Sequence, residues 1–523
     1  MAVLAQVLES PYLIQGVVVA LLAVLASSFW DDLSDEIPYR RVPLVGKNWW
    51  SDLTNKKAKA RFTQGARALI AEGFSRGRNV FQIMGATRPL IILHPRYMDE
   101  IKSHPNLDFE GANRKNFFED RIAGFEAFHQ KNTSKLVTDL VRIKLTQALG
   151  SLTIPLSKET AATLNDTFPP SDEWKPYNFA YHVPYMVARI SSLVFLGQKI
   201  CRDKEWINVS VNYTIDAFVA ARELRMWPSV LRPLVHWFLP SAQKLRQHLR
   251  VARSIVNQEV EHRAMIQDGT LPPEDPPRTH ADALDWMRDL SQAYDTPIEM
   301  GRTQVGLSLA AIHTTSNLLT NIMYDLAAYP QYIQPLRDEI CAVAAEDGEF
   351  KKTSLLKLKL MDSVMKESQR VNPVGMTLLN RLATADIPLS DGTVIPKGAT
   401  IAVSTHVMGE DSIYPQASTY DGYRFYNKRQ EPGNEHRFQL VTTTRDHFAF
   451  GHGVHACPGR FFAANESKIL LIHLLLKFDW KFKEDRGRPK NFEIGTESIT
   501  DPTVELLFRS RTPEIDLKCL GGA

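Results

Sequence analysis

The chain is expected to fold as a mainly α body with a minor β-sheet, an α+β arrangement carried behind a single N-terminal transmembrane helix. Three observations predict this. Long segments carry apolar residues at three- and four-residue spacing, strand-type runs are few and short, and one charge-free stretch near the start is about long enough to cross a bilayer. With 523 residues, 44% hydrophobic and 23% charged with both signs mixed, the composition is that of a globular protein with ample core material. No repeat and no low-complexity linker interrupts the sequence after the first stretch. The expected organisation is therefore a membrane anchor at residues 1–35 and one large body at residues 36–523.

The anchor reading rests on residues 10–30, which hold no charge and read "VVVALLAVLA" at their centre. No basic stretch precedes this run and it is long for a signal core, so a retained helix is favoured over a cleaved signal peptide. Trp30 suits an interfacial belt. Arg40, Arg41 and Lys47 follow closely with no Lys or Arg before the segment, which places the downstream chain in the cytosol. The acidic residues Asp31, Asp32, Asp35 and Glu36 weigh little in that rule. Pro38 and Pro43 then disfavour helix and suit a stiff connector.

Helices are expected over "SDLTNKKAKARFTQGARALIAEGF", "LVTDLVRIKLTQALGSL", "SAQKLRQHLRVARSIVNQEVEHRAMIQD" and "ANESKILLIHLLLKF". "RPLIILHP" reads as a buried strand, and "DIPLSDGTVIPKGATIAV" as a hairpin turning at Asp391 and Gly392. Residues 303–324 are also free of charge and long enough for a second crossing, but they hold Gln304, Ser308, His313, Thr314, Thr315, Ser316, Asn317, Thr320 and Asn321. So many polar groups cannot face lipid, so a long helix buried inside the body is the better reading. "AAIHTTSN" then places hydroxyls and an imidazole beside an internal cavity, unless the threonines bond back to the preceding turn and the histidine is a satisfied core residue.

A net charge of +3 provides no basic stripe, which argues against a nucleic-acid partner. The four cysteines, Cys201, Cys341, Cys457 and Cys519, lie far apart without paired spacing, as suits a reducing compartment. Sequons at Asn132, Asn165, Asn208 and Asn212 are coincidental if the body faces the cytosol.

The stretch "FGHGVHACPGR", residues 450–460, carries the chemistry. His447, His452, His455 and Cys457 lie close together, but structural zinc takes four ligands and its Cys-rich sites come in CxxC-like pairs that this chain does not have, and a redox thiol would need a resolving cysteine nearby. A haem iron ligated by thiolate needs one cysteine on a loop whose backbone N–H groups approach the sulfur. Gly451, Gly453 and Gly459 give that backbone, and the run after Pro458 reads as a helix beginning beside Cys457, its positive end favouring a thiolate.

Phe450, Gly453, His455, Cys457 and Gly459 match F-x-x-G-x-[RH]-x-C-x-G, the haem-binding signature of the cytochrome P-450 family, which the chain resembles from the anchor to its final strands. "KESQR" is similar to the family's E-x-x-R pair, here Glu367 and Arg370, and "YDGYRF" to the segment whose arginine, here Arg424, completes that structural network. "AAIHTT" resembles the oxygen-activating stretch, with Thr314 at the threonine position. An acid commonly precedes that threonine and a glycine is usual where Ala311 stands. His313 departs from this pattern, so proton delivery through His313, Thr315 or water alone all stay open.

The resemblance implies haem b, with Cys457 as axial iron ligand, Phe450 over the sulfur, and His455, Arg381 and Arg142 toward the propionates. Substrate contacts are expected from Phe117, Phe118, Ala310, Val374, Met376, Thr377, Leu378 and Ile499. No flavin or nicotinamide fingerprint occurs in the chain, so electrons would come from NADPH through a separate cytochrome P-450 reductase, with cytochrome b5 as an accessory donor. The implied activity is a monooxygenase of the endoplasmic reticulum membrane, single-pass and cytosolic, inserting one oxygen atom into a small apolar substrate. "LSLAAIHTTSN", "MKESQRVNP" and "GHGVHACPGRFFAANE" resemble filamentous-fungal members of terpenoid secondary metabolism, of the ent-kaurene oxidase and indole-diterpene groups. A polycyclic terpenoid or meroterpenoid is the expected substrate. The alternatives are a haem-thiolate isomerase, dehydratase or multi-step oxidase acting on a polyketide or alkaloid, and a non-catalytic membrane haem-binding protein.

Overall fold

In the computed structural model, residues 11–34, 37–48, 52, 55–118, 121–129, 133–274, 277–484 and 487–520 are described. Readings placed on Ser10, Asp35, Glu36 and Asn132, and on the side chains of Trp30, Asp31 and Asp32, lie outside the described residues, as does the expected boundary between residues 35 and 36.

The first helix, Pro11–Ser34, holds the apolar run Leu13–Ala26. Its residues Ile14, Val17, Val19, Leu21, Leu22 and Leu25 are each more than half exposed. Beyond the connector, helix dominates. The central helix Met300–Ala328 corresponds to the charge-free 303–324 segment and is threaded through the body. It packs against Phe179–Leu196, Lys204–Arg225 and Pro240–Gln267. Several of its polar side chains bond internally: Gln304 Nε2 donates to Phe195 O at 2.8 Å, Ser316 to Ile312 O at 2.6 Å and Thr320 to Ser316 O at 2.8 Å, while Gln304 Oε1 and Ser308 Oγ are buried without a partner among the described residues. Such a helix belongs in a protein core. Phe179–Leu196 is also long and apolar enough to span a bilayer, but two-thirds of it (67%) is buried in the same core.

The main sheet has six strands in the order Leu44–Val45, Val80–Met84, Pro89–Leu93, Thr400–Ser404, Thr377–Ala383, Leu107–Asp108. "RPLIILHP" supplies its third strand. Leu90 lies opposite Thr400 in a parallel pair, whereas Thr377–Ala383 runs antiparallel to Thr400–Ser404 with a bulge between Leu378 and Arg381. Leu379 takes a left-handed φ of 55° in that bulge, which re-aims the residues after it, Arg381 included. The hairpin at Asp391 and Gly392 forms as a short separate pair, Ile387–Pro388 with Val394–Ile395.

Three helices differ from expectation in detail. The first body helix, Lys56–Ser75, breaks at Gly65, where φ is −155°. The expected helix over 136–152 runs on to Thr167, after a π turn at Leu140–Leu145 and around an internal Pro155. The helix after the cysteine begins at Arg460, one short turn later than Cys457 itself. All four cysteines are free thiols.

Candidate active site

The glycine-rich loop is built by backbone constraint. Gly451 and Gly453 have φ of 70° and 80°, where a side chain is strained. At Gly453 a Cβ would also come within 2.3 Å of the Lys102 carbonyl oxygen, so only glycine lets the loop lie against that turn. The loop closes with Cys457 N–H donating to Phe450 O at 2.8 Å. The N–H groups of Gly459 and Arg460 are then directed at the cysteine sulfur, while burial pushes the free thiol above its ordinary range. A buried sulfur that already receives two N–H groups is suited to be an anion only if a cation sits against it. This donor set fits a haem iron.

Cys457 opens onto a cavity of about 360 Å³. Phe450, Pro458 and Gly459 line it on the sulfur side, and Leu307, Ala310, Ala311, Thr314, Thr315 and Leu318 of the central helix face them. Ala310 and Thr314, four residues apart, are exposed within an otherwise buried helix because they front this cavity. Small side chains here leave the room that a flat macrocycle and a substrate need. Thr314 Oγ1 donates to Ala310 O at 2.8 Å, so the hydroxyl keeps lone pairs free toward the cavity.

His313 is turned the other way. Its Nε2 lies 2.9 Å from Val211 O on the Lys204–Arg225 helix, and the ring is absent from the cavity wall. Burial lowers its pKa, offset in part by that carbonyl. Of the two readings left open for His313, the structure has the one in which the ring is bonded within the core: a residue adjacent to Thr314 on a helix points about 100° away, and here the Val211 carbonyl stands there.

Arg381 and His455 meet at Phe109. The Arg381 guanidinium lies 5.2 Å from the Phe109 ring centroid and His455 stacks on the same ring at 5.8 Å. Arg381 is buried, and among the described residues it forms no ion pair; it donates only to its neighbour's carbonyl, Asn380 O, at 2.8 Å. Burial pulls its pKa down to about 10. A buried cation lacking an anion, with an imidazole beside it, fits a carboxylate such as a propionate. Arg142 is placed differently: it is exposed and paired with Asp139 at 2.9 Å, outside the cavity wall. Arg114, whose Nε is buried without a partner, is a second nearby cation that no sequence pattern marked.

Of the expected substrate contacts, Ala310 and Val374 line the cavity. Phe117 instead stacks on Phe128 at 3.8 Å in an aromatic core, and Phe118 takes a φ of 64° beneath Arg225 and Arg232. Met376 packs with Phe62 and Phe81, Leu378 leans on the sheet core, and Thr377 is buried with its hydroxyl unpartnered. Ile499 is 44% exposed on a hairpin, but its neighbour Thr500 donates its N–H to Asn317 Oδ1 at 3.2 Å. Thr377 and Leu378 open the strand Thr377–Ala383, where alternate residues face opposite sides, so the two cannot both face one cavity. Asn317, Gln369, Val137, Val141, Leu145, Phe195 and Phe462 also line it and were not anticipated.

Behind the cavity, Glu367, Arg370 and Arg424 form one buried network. Arg370 reaches Glu367 through two bonds at 2.7 and 2.8 Å, and Arg424 Nε lies 3.1 Å from Glu367 Oε1. Arg370 also donates to Met408 O at 2.6 Å and Arg424 to Pro415 O at 2.7 Å, tying the helix Lys359–Val371 to the chain that precedes the cysteine loop.

Almost two turns into the helix after the cysteine, Glu466 is fully enclosed; Ser191 donates to its Oε1 at 2.6 Å and, among the described residues, its Oε2 has no partner. Burial raises its pKa to about 8, so it is neutral in the folded protein at pH 7. Between roughly pH 4.5 and 8 the unfolded chain loses this proton and the folded chain keeps it, so stability falls as pH rises, by a few kcal/mol in all. Glu466→Gln is expected to flatten that decline in unfolding experiments run from pH 5 to 8.5. A wild-type profile no steeper than the variant's would show the carboxyl to be ionised.

Residues 61–507 match the family model described as cytochrome P-450. The chain is 40% identical to the cytochrome P-450 monooxygenase ptmU of Penicillium ochrochloron, over 92% of this chain and 94% of that one. It is 38% identical to calE of Penicillium decumbens over 97% and 96%, and 39% identical to adrA of Penicillium rubens over 91% and 92%, both also cytochrome P-450 monooxygenases. Matched across its length by the family model and by such relatives, with a buried cysteine under an apolar cavity, the chain belongs to the cytochrome P-450 family of haem-dependent monooxygenases, which draw electrons from NAD(P)H through a redox partner.

Proposed function

We propose that this protein inserts one oxygen atom from O2 into an apolar polycyclic substrate, a terpenoid or meroterpenoid intermediate of fungal secondary metabolism. The observation that carries this reading is the cavity between Thr314 and Cys457, whose walls are mostly carbon: Val137, Val141, Leu307, Ala310, Leu318 and Val374. Haem, when bound, supplies the oxygen activation. Cys457 holds its iron, and Arg381 with His455 meets its propionates. Thr314 orients a water for proton transfer, with Thr315 beside it, and Val374 and Ala310 shape the space for substrate.

Membrane attachment is part of the same proposal. The apolar run Leu13–Ala26 exposes most of its side chains, and Met226, Val230, Leu234 and Phe238 are also exposed apolar residues, between 61% and 82% accessible. Arg40, Arg41 and Lys47 favour a cytosolic body, which suits the endoplasmic reticulum and a membrane-bound NADPH–cytochrome P-450 reductase, with cytochrome b5 as accessory donor.

Full-length protein co-expressed in yeast with a fungal reductase is expected to convert members of a terpenoid panel to products heavier by one oxygen atom, in an NADPH-dependent manner. Product formed equally without NADPH would overturn the monooxygenase reading. In the same assay His313→Ala is expected to leave the ratio of product to NADPH consumed unchanged, because its ring is held at Val211; a several-fold drop in coupling would restore His313 to the proton path.

A further inference from the structure

Away from the haem cavity, the main sheet brings two histidines together at one end of its two middle strands. Strands Pro89–Leu93 and Thr400–Ser404 are parallel neighbours with Leu93 opposite Val403, so His94 and His406, just past their ends, emerge side by side. Glu410 follows His406 by one helical turn. The rings of His94 and His406 lie 4.9 Å apart. Phe74 stacks on His406 at 3.9 Å and meets His94 edge-on at 5.6 Å, fixing both planes.

One donor atom from each of His94, His406 and Glu410 lies within 4.8 Å of the other two, and His406 Nε2 is 3.1 Å from Glu410 Oε1. We propose that these three side chains form a binding site for zinc or a divalent ion of similar character, distinct from the haem site. Two imidazoles and one carboxylate are a common three-ligand set for this ion, leaving a fourth position to water. With bonds of about 2.0–2.1 Å, tetrahedral donors stand roughly 3.4 Å apart, so the His406–Glu410 pair is already close and His94 needs to approach by at most about 1.4 Å. That is a side-chain rotation. Ser404 Oγ, 3.0 Å from His406 Nδ1, supplies the outer partner that holds a ligating ring. His94 Nδ1 accepts the exposed Arg96 N–H at 3.0 Å, so its proton sits on Nε2 until a metal binds. Loading moves that proton to Nδ1 and gives up one exposed hydrogen bond, which makes this an exchangeable site rather than a structural one. Glu410, 39% exposed at its side chain, keeps the site open to solvent.

The test is isothermal titration of Zn²⁺ into the full-length, haem-loaded, tag-free protein at neutral pH. Wild type is expected to bind one equivalent, with zinc-edge absorption reporting two imidazole ligands. His406→Ala and Glu410→Gln are expected to weaken that binding at least tenfold, while His262→Ala, from the separate Glu259, His262 and Glu274 group, leaves it intact. Retention of the carbon monoxide spectrum establishes that each variant is folded; if His406→Ala fails it, the solvent-facing Glu410→Gln carries the result. No zinc uptake by wild type, unchanged uptake in both variants, or loss only in His262→Ala would each overturn the proposal.

Discussion

Cys457→Ser is expected to abolish the red-shifted Soret absorption that reduced wild-type protein gives under carbon monoxide, and with it all NADPH-dependent product. The other thiols cannot replace it: Cys201, Cys341 and Cys519 are absent from the cavity wall. Serine keeps the shape of the loop, including the Cys457 N–H bond to Phe450 O, so the loss would report the ligand atom and not the fold. An alcohol oxygen does not become an anion here as a thiol does, and the N–H groups of Gly459 and Arg460 cannot compensate for that. The measurement is the ferrous carbon monoxide difference spectrum, with haem content measured in parallel. A variant that kept the red-shifted band would remove Cys457 from the metal.

The parts of this site legible in the sequence are those that backbone chemistry dictates. A turn that must take positive φ while lying against Lys102 O demands glycine, so Gly453 shows itself without a structure. Glu367 and Arg370, three apart on one helix, are readable for the same local reason. The central helix was legible from its charge-free length and its polar content, which together exclude lipid and require a core. What stayed hidden depends on side-chain direction and on contacts distant in sequence. Whether His313 faces the cavity is decided by Val211, 102 residues away, whereas the direction of the Arg142 side chain is set by a local pair with Asp139, three residues away. Thr377 and Leu378 were misplaced because the strand that Thr377 begins alternates its faces and bulges at Leu379, and neither register nor bulge is written in a short apolar run. Asn317 and Gln369 were missed since nothing local distinguishes a carboxamide that fronts a cavity from one that fronts water.

Arg370→Met is expected to prevent accumulation of haem-loaded protein, although position 370 lies outside the cavity wall. The Arg370 and Glu367 side chains have no solvent exposure at all, so removing the guanidinium leaves a carboxylate that water cannot reach. Breaking one partner of such a pair costs about 3–5 kcal/mol, a large share of the roughly 5–15 kcal/mol by which a folded domain exceeds its unfolded state. Arg424 remains near Glu367, but at 3.1 Å and already committed to Pro415 O, so it does not supply the second bidentate bond. The Met408 carbonyl also loses its donor, which loosens the chain leading toward the cysteine loop. Arg370→Lys keeps the charge without the two-pronged geometry and should fall between the two. Thermal unfolding and haem-to-protein ratio, measured on full-length protein, decide the matter. If Arg370→Met retained wild-type haem content and melted within a few degrees of wild type, the network would be dispensable, and the connection from the Lys359–Val371 helix to the metal loop would have to run through other contacts.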